Sequence, residues 1–106
     1  MITEVEIVES EQHKTRLLPS WNVILLDDND HSYEYVIEML ARLFGLPVYD
    51  SLPMARELDF TGRVIVLSTH RERAELERDR IHGYGADPRI PACKGSMSAI
   101  IEPAFG

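Results

Sequence analysis

The sequence predicts a single α+β domain whose elements follow in the order strand, helix, helix, strand, helix, strand. Two short apolar runs rich in aliphatic and β-branched residues, at residues 21–26 and 63–68, are typical of buried strands. Between them, apolar side chains recur at helical spacing over residues 33–44. A chain of 106 residues provides one modest hydrophobic core, so we expect all six elements to share it.

The segment before the first strand, residues 1–20, is predicted to be a flexible arm, and residues 21–106 are predicted to be the folded core. The arm is acidic at first and then locally basic, and its apolar residues alternate too weakly to predict a strand. Both a solvated tail and a partner-binding extension are consistent with this composition.

The first strand, residues 21–26, leads directly into the acidic loop of residues 27–30. The first helix is predicted over residues 33–44, because charged side chains occupy the side opposite its apolar face. Gly45 is a suitable C-terminal stop for this helix, since glycine adopts the left-handed conformation that commonly ends helices.

A second, shorter helix is predicted to begin near Ser51, with Pro53 tolerated in its first turn, and to end before the turn at residues 60–62. The second strand follows at residues 63–68. Its apolar and β-branched composition indicates a central strand.

The third helix is predicted to start at a capping box formed by Thr69 and Glu72, and to stop at residues 83–85. After an irregular stretch, residues 97–101 alternate loosely and indicate a last strand, which Pro103 ends.

Composition limits the classes of partner. Eighteen acidic residues against eleven basic ones give a net charge of −7, which disfavours binding to a nucleic-acid backbone. No apolar stretch approaches the length of a membrane span, and no signal segment is recognisable. Cys93 is the single cysteine and cannot form an internal disulfide. We therefore expect a cytoplasmic protein that binds neither nucleic acid nor membrane.

No motif of high specificity for catalysis is present, so we predict that the protein is not an enzyme and needs no cofactor. The four histidines are spread along the chain, which disfavours a metal site. Cys93 has no histidine nearby in sequence, and an inert packed thiol is the expected role.

The acidic loop, Asp27-Asp28-Asn29-Asp30, is the strongest candidate for chemistry. Three carboxylates in four residues repel one another. Two interpretations remain open: helix capping by Asp30 or Ser32 together with ordinary loop acidity, and binding of an amine or a metal.

The acidic loop and the strand before it resemble part of the receiver domain of response regulators. VILLDDND is similar to its first strand and magnesium-binding acids, and RVIVLST with Lys94 is similar to its later strands. The spacing disfavours this interpretation, because Asp50 is the available phosphoacceptor and no apolar strand precedes it.

A second resemblance covers more of the chain. Residues 23–40, VILLDDNDHSYEYVIEML, combine a strand, an acidic pair and an aromatic-valine pair. Gly62 with the strand after it, Ala74-Glu75 in the third helix and MSAIIEPA at residues 97–104 continue the pattern. In these features the chain resembles the ClpS family, adaptors that deliver substrates to the Clp ATP-dependent protease. The resemblance implies a three-stranded antiparallel sheet covered on one face by three helices, in the order βααβαβ, similar to the ribosomal stalk protein's C-terminal domain.

The family binds N-degrons, which consist of a free amino terminus followed by a large apolar first side chain. An Asn, an Asp and a His hold the amine in the family; Asp27, Asp28 and Asp59 occupy those positions here. The resemblance therefore implies an amine site made of three carboxylates. It also implies a hydrophobic pocket of eight side chains: Leu25, Leu26, His31, Tyr33, Val36, Ala55, Leu58 and Met97.

The family's docking face for the unfoldase includes an acid in the third helix, matched by Glu72, and a Lys at the position of Glu77. The implied function is delivery of N-degron substrates to a Clp unfoldase of the ClpA or ClpC type. The alternatives are an interaction module of the same fold without N-degron binding, including one like the ribosomal stalk domain, and a metal-binding or receiver-like signalling domain.

Overall fold

The secondary structure follows the predicted order and confirms the α+β class. The computed structural model describes residues 19–104. Its elements are β1 (Trp21–Leu26), α1 (Tyr33–Phe44), α2 (Val48–Thr61), β2 (Arg63–Thr69), α3 (Arg71–His82) and β3 (Ser98–Pro103).

The three strands form one antiparallel sheet with β1 in the centre, in the order β2-β1-β3. Leu25 lies opposite Val64 on one side and Ala99 on the other. A β-bulge interrupts the pairing with β2 between Val23 and Ile24. Because β1 lies between β2 and β3, the acidic loop that follows it leaves the sheet at the middle of one end.

The hydrophobic core lies on one face of this sheet, under the three helices. Alternate strand residues, among them Val23 and Leu25 in β1, pack there against the buried faces of the helices. Met39 and Leu40 in α1 are completely buried, and each such side chain contributes roughly 1.5–3 kcal/mol. The predicted arrangement, helices on one face of a three-stranded sheet, is confirmed.

The ends of α1 are set by two local signals. The hydroxyl of Ser32 accepts a hydrogen bond from the amide of Tyr35, which caps the N-terminus. Gly45 adopts a left-handed φ of 69° and its amide bonds to the Ala41 carbonyl. The predicted bounds of this helix are therefore confirmed.

The start of α2 lies three residues earlier than predicted. The carbonyl of Pro47 accepts hydrogen bonds from the amides of Asp50 and Ser51, so the first turn begins at Val48. Pro53 consequently lies inside the helix rather than in its first turn.

The capping box predicted for α3 is wrong. Thr69 ends β2, where it pairs with Trp21, and His70 is the N-cap, its Nδ1 accepting from the Arg73 amide at 3.4 Å. The last strand also differs in its bounds, because β3 begins at Ser98 and pairing with β1 continues to Pro103.

The predicted arm falls outside the described residues, except for Pro19 and Ser20. The carbonyl of Ser20 accepts a hydrogen bond of 2.9 Å from the amide of Ala104. This bond joins the beginning of the core to its end. Within residues 19–104, no helix is both long and apolar enough to span a membrane.

Candidate functional site

A cavity of about 210 Å³ opens between the acidic loop, the first turn of α1 and the second half of α2. Its lining combines carboxylates with apolar side chains. The lining residues are Asp27, Asn29, His31, Ser32, Tyr33, Val36, Ala55, Leu58, Asp59 and Met97.

Two carboxylates reach this cavity because the end of β1 and the end of α2 are joined. The amide of Asp27 donates a hydrogen bond of 3.0 Å to the carbonyl of Gly62. Gly62 in turn ends α2 with a left-handed φ of 85°, and its amide bonds to the Leu58 carbonyl at 2.8 Å. Asp27 and Asp59, 32 residues apart in the chain, therefore line one opening.

Tyr33 closes part of the opening by bonding to the second carboxylate. Its hydroxyl donates a hydrogen bond of 2.9 Å to Oδ2 of Asp59. This bond, with burial and the nearby charges of Asp59 and Asp27, raises the pKa of Tyr33, while Arg56 opposes the shift. A tyrosine is already protonated at neutral pH, and this shift extends its protonated form to higher pH.

The electrostatic field at the opening favours a cation. Asp59 lies in the last turn of α2, which contains no basic residue. Exposed carbonyls at a helix C-terminus carry partial negative charge, which adds to the charge of this carboxylate. Asp27 contributes a second negative charge to the same cavity. An ammonium group is a ligand that this combination would stabilise.

The cavity floor is apolar. Val36 projects from α1, Ala55 and Leu58 from α2, and Met97 precedes β3; all four are buried. A side chain that enters would leave water for an apolar surface. The small side chain of Ala55 leaves room at this floor.

Leu25 and Leu26, two of the predicted pocket residues, do not line the cavity. Leu25 is completely buried in the core beneath the helices. Leu26 pairs with Arg63 and Ser98 at the end of β1. The chain turns away from the sheet immediately after this pair, so the acidic loop, and not the strand, reaches the cavity.

Asp28 also lies outside the cavity lining and instead holds one of its walls. Its Oδ1 lies 2.7 Å from Nδ1 of His31 and accepts from the Asp30 amide at 3.0 Å. The other ring nitrogen of His31 lies 2.8 Å from the carbonyl of Gly95. His31, with a side chain only 3% exposed, is therefore fixed from both sides.

Cys93 has no histidine near it in sequence, but the fold places it beside His31, 62 residues away. Its Sγ is 3.3 Å from Nε2 of His31. The same sulfur accepts from the Asp87 amide at 3.2 Å and donates to the Gly95 carbonyl. Nε2 of His31 also lies 2.8 Å from that carbonyl, so the thiol and the imidazole contact the same backbone group.

Asn29 and Ser32 line the cavity but were not among the predicted pocket residues. Asn29 has a left-handed φ of 64°, which turns the loop over the opening. Ser32 has a local signal, because a serine after a polar loop and before a helix is a typical N-cap.

Asp87 supports the site from behind and has no recognisable sequence signal. It is buried and accepts hydrogen bonds from the amide and hydroxyl of Ser32 and from Arg89. Burial by itself would raise the pKa of its carboxyl, but these hydrogen bonds outweigh burial and lower the pKa from 3.8 to about 2.

The predicted docking residues of α3 differ sharply in exposure. Glu72 is exposed in the first turn. The side chain of Glu77 is 0% exposed and accepts hydrogen bonds from Arg73 and Arg80. Glu77 is thus an interior ion-pair residue, and its assignment to a docking face is wrong because the side chain faces the protein.

The rival interpretations of the acidic loop have little structural support in residues 19–104. No three side chains among the described His, Cys, Asp and Glu residues are placed to share a metal ion. Asp50 lies in the first turn of α2 and not at the end of a strand, so the receiver arrangement is absent at that position.

Fold and cavity together define a small α+β binding domain with an acidic opening and an apolar floor. Residues 16–90 match the family described as "ATP-dependent Clp protease adaptor protein ClpS". This match covers more than half of the chain, so the protein belongs to the ClpS family. The family consists of protease adaptors, which agrees with a binding role.

Two comparisons describe what the chain is similar to, one in sequence and one in fold. The chain is 24% identical over 86 residues, 81% of each protein, to the ATP-dependent Clp protease adapter protein ClpS of Vibrio atlanticus (strain LGP32). Agrobacterium tumefaciens ClpS2, in a structure bound to L-phenylalaninamide, superposes with a TM-score of 0.68 at 20% identity. That superposition covers 80% of this chain and 96% of the other, and it establishes the likeness of fold.

Proposed function

We propose that the protein binds the free amino terminus of N-degron substrates in the cavity and delivers them to a Clp unfoldase for degradation. The observation that carries this proposal is the placement of two carboxylates, Asp27 and Asp59, at the opening of a cavity with an apolar floor. Such a cavity suits a ligand that joins an ammonium to an apolar side chain.

The size of the cavity is appropriate for one large side chain. Its volume of about 210 Å³ accommodates a Leu or Phe side chain with the ammonium at the opening. L-Phenylalaninamide, which is bound to Agrobacterium tumefaciens ClpS2, joins those two chemical features. Burial of such a side chain would contribute roughly 1.5–3 kcal/mol to binding.

The carboxylates supply the remaining selectivity. A charge-assisted hydrogen bond from an ammonium to a carboxylate is about twice as strong as a neutral one. Acetylation removes both the positive charge and two of the three donors, so an acetylated terminus would leave the carboxylates without a matching partner.

Calorimetric titration with short peptides that begin with Leu, Phe, Trp or Arg tests binding, each against its N-acetylated form. We expect at least one free peptide to bind and its acetylated form to bind at least tenfold more weakly. Asp27→Asn should also weaken binding, whereas Asp50→Asn, which alters an exposed acid at the far end of α2, should not. Equal binding of free and acetylated peptides would exclude an amine site.

Delivery is tested separately, with a ClpA-type or ClpC-type unfoldase, its peptidase and a reporter that begins with the best-bound residue. We expect degradation to depend on this protein, and Glu72→Arg to slow delivery without changing peptide affinity. Binding without delivery would favour the alternative function, an interaction module of the same fold that acts with other partners.

A further inference from the structure

We propose that the hydrogen bond between Tyr33 and Asp59, here named the opening bridge, competes with the incoming ammonium, so that Tyr33 sets the affinity of the site. This inference rests on the proposed function, because it concerns the same cavity. Both residues line the cavity, and they come from opposite sides of it, Tyr33 from the start of α1 and Asp59 from the last turn of α2.

The bridge occupies an acceptor that a cationic ligand requires. The Tyr33 hydroxyl donates to Oδ2 of Asp59 at 2.9 Å. A carboxylate has two oxygens with several acceptor positions, and Tyr33, which also lines the cavity, occupies one of those on Oδ2 with its hydroxyl. An ammonium that approaches Asp59 from the cavity must therefore displace this hydroxyl or bind in a poorer position.

The exchange is favourable for a charged ligand. The phenol is neutral at pH 7, because the ordinary pKa of a tyrosine, about 10, is well above that pH and the bond to Asp59 raises the pKa of Tyr33 further. The bridge is therefore a hydrogen bond between a neutral donor and a carboxylate. An ammonium replaces it with a bond between two opposite charges, which is the stronger arrangement.

Tyr33 has space to move when it is displaced. It is the first residue of α1, and the residue is 36% exposed. Rotation of the ring toward solvent would leave the helix unchanged, since the cap at Ser32 bonds to Tyr35 and not to Tyr33. The buried residues of the cavity floor, such as Val36, need not shift.

The free protein then consists of bridged and open forms, and the ligand binds the open form. The apparent dissociation constant equals the intrinsic constant divided by the open fraction. The bridge therefore weakens binding of every ligand that pairs with Asp59. A net hydrogen bond of ordinary strength corresponds to a factor of about 2 to 10.

Tyr33→Phe isolates the hydroxyl, because it keeps the ring that lines the cavity. We expect this variant to bind a tetrapeptide that begins with Phe about 2- to 10-fold more tightly than the unaltered protein does. In an Asp59→Asn background, the same change should have less effect. Tyr49→Phe, which removes the hydroxyl of an 80% exposed residue at the other end of α2, is the matched control and should change nothing.

A second measurement detects the bridge without any ligand. Tyrosine labelled with ¹³C at Cζ allows the phenol of Tyr33 to be titrated by NMR in the free protein. We expect Asp59→Asn to lower the pH at which Tyr33 ionises. The assignment of the resonance follows from its loss in Tyr33→Phe.

The outcomes separate the bridge from the proposed function. An unchanged Tyr33 titration in Asp59→Asn would overturn the bridge, whatever the peptides do. If Tyr33→Phe bound the peptide no more tightly than the unaltered protein, the hydroxyl would not compete with the ammonium, and weaker binding would assign it a positioning role. Failure of all variants to bind free peptides, with the titration shifted as expected, would instead contradict the proposed function and with it any competition for an amine.

Discussion

Asp87 accepts two hydrogen bonds from Ser32, one from its amide at 2.8 Å and one from its hydroxyl at 2.7 Å, across 55 residues of sequence. The same serine hydroxyl accepts from Tyr35 and caps α1. The segment between α3 and β3 is thereby joined to the helix that carries the cavity wall. The geometry of the site consequently depends on a residue that does not line it.

Asp87→Asn is expected to destabilise the fold by about 1–3 kcal/mol at pH 7, because the amide cannot accept every bond that the buried carboxylate receives. Urea denaturation measures the change. Asp30→Asn, in the exposed part of the acidic loop, is the control and should stay within about 0.5 kcal/mol.

The same carboxylate predicts a dependence of stability on pH. Its pKa is lowered from 3.8 to about 2 in the folded protein, so it stabilises the fold above pH 3.8 by about 2 kcal/mol. This contribution is lost as the pH falls from 3.8 through 2. Denaturation curves of Asp87→Asn should therefore lose less stability than the unaltered protein over that interval. Parallel losses in both proteins would contradict the assignment.

Glu77→Gln is expected to destabilise the protein by about 1–3 kcal/mol, because the charge that neutralises Arg73 and Arg80 is buried and is removed. Both arginines are partly exposed, so water can solvate them again and limits the loss. Thermal unfolding, monitored by circular dichroism, measures the destabilisation. Glu75→Gln, which breaks an exposed pair with Arg71, should cost less than about 1 kcal/mol.

Elements with strong local signals could be predicted from the sequence. β1 is a continuous apolar run followed by acids, and α1 has both a capping serine and a glycine stop. The start of α2 was missed because Pro47, without a side-chain cap, begins the helix through its carbonyl. The N-cap of α3 is His70, one residue later than predicted, because Thr69 pairs with β1.

The site was predictable only in its local parts. Asp27, Tyr33 and Ala55 follow from the resemblance and do line the cavity. Contacts between distant residues, such as His31 with Cys93 or Ser32 with Asp87, leave no local pattern in one sequence. The interior position of Glu77 was also unpredictable, since a glutamate among arginines in a charged helix usually faces water.

Gly62→Ala is expected to cost about 1–2 kcal/mol, since alanine is strained at a φ of 85°. No atom lies within 4 Å of the added Cβ, so the cost comes from the backbone and not from a clash. Gly45→Ala, at a φ of 69° with the same open space, is the matched control and should cost a similar amount.

The two glycine variants should differ in ligand binding. The carbonyl of Gly62 holds the Asp27 amide, so a shifted backbone there moves a cavity carboxylate, whereas Gly45 lies at the other end of α1 from the cavity. We expect weaker peptide binding by Gly62→Ala alone, measured by calorimetry at a temperature where both variants are folded. Equal losses in both would show that Gly62 does not position Asp27.

Ala55→Leu tests whether the cavity receives the first side chain of a peptide. Ala55 is buried at the cavity floor, and three added carbon atoms would occupy much of the space. We expect peptides that begin with Phe or Trp to lose at least tenfold in affinity, because the bound side chain would overpack the occupied cavity, and overpacking costs about 1–3 kcal/mol. The melting temperature should stay the same or rise, since the new atoms fill existing space. Ala41→Leu, at an exposed position of α1, controls for the added apolar surface. Unchanged affinity in Ala55→Leu, with the fold intact, would place the first side chain outside this cavity.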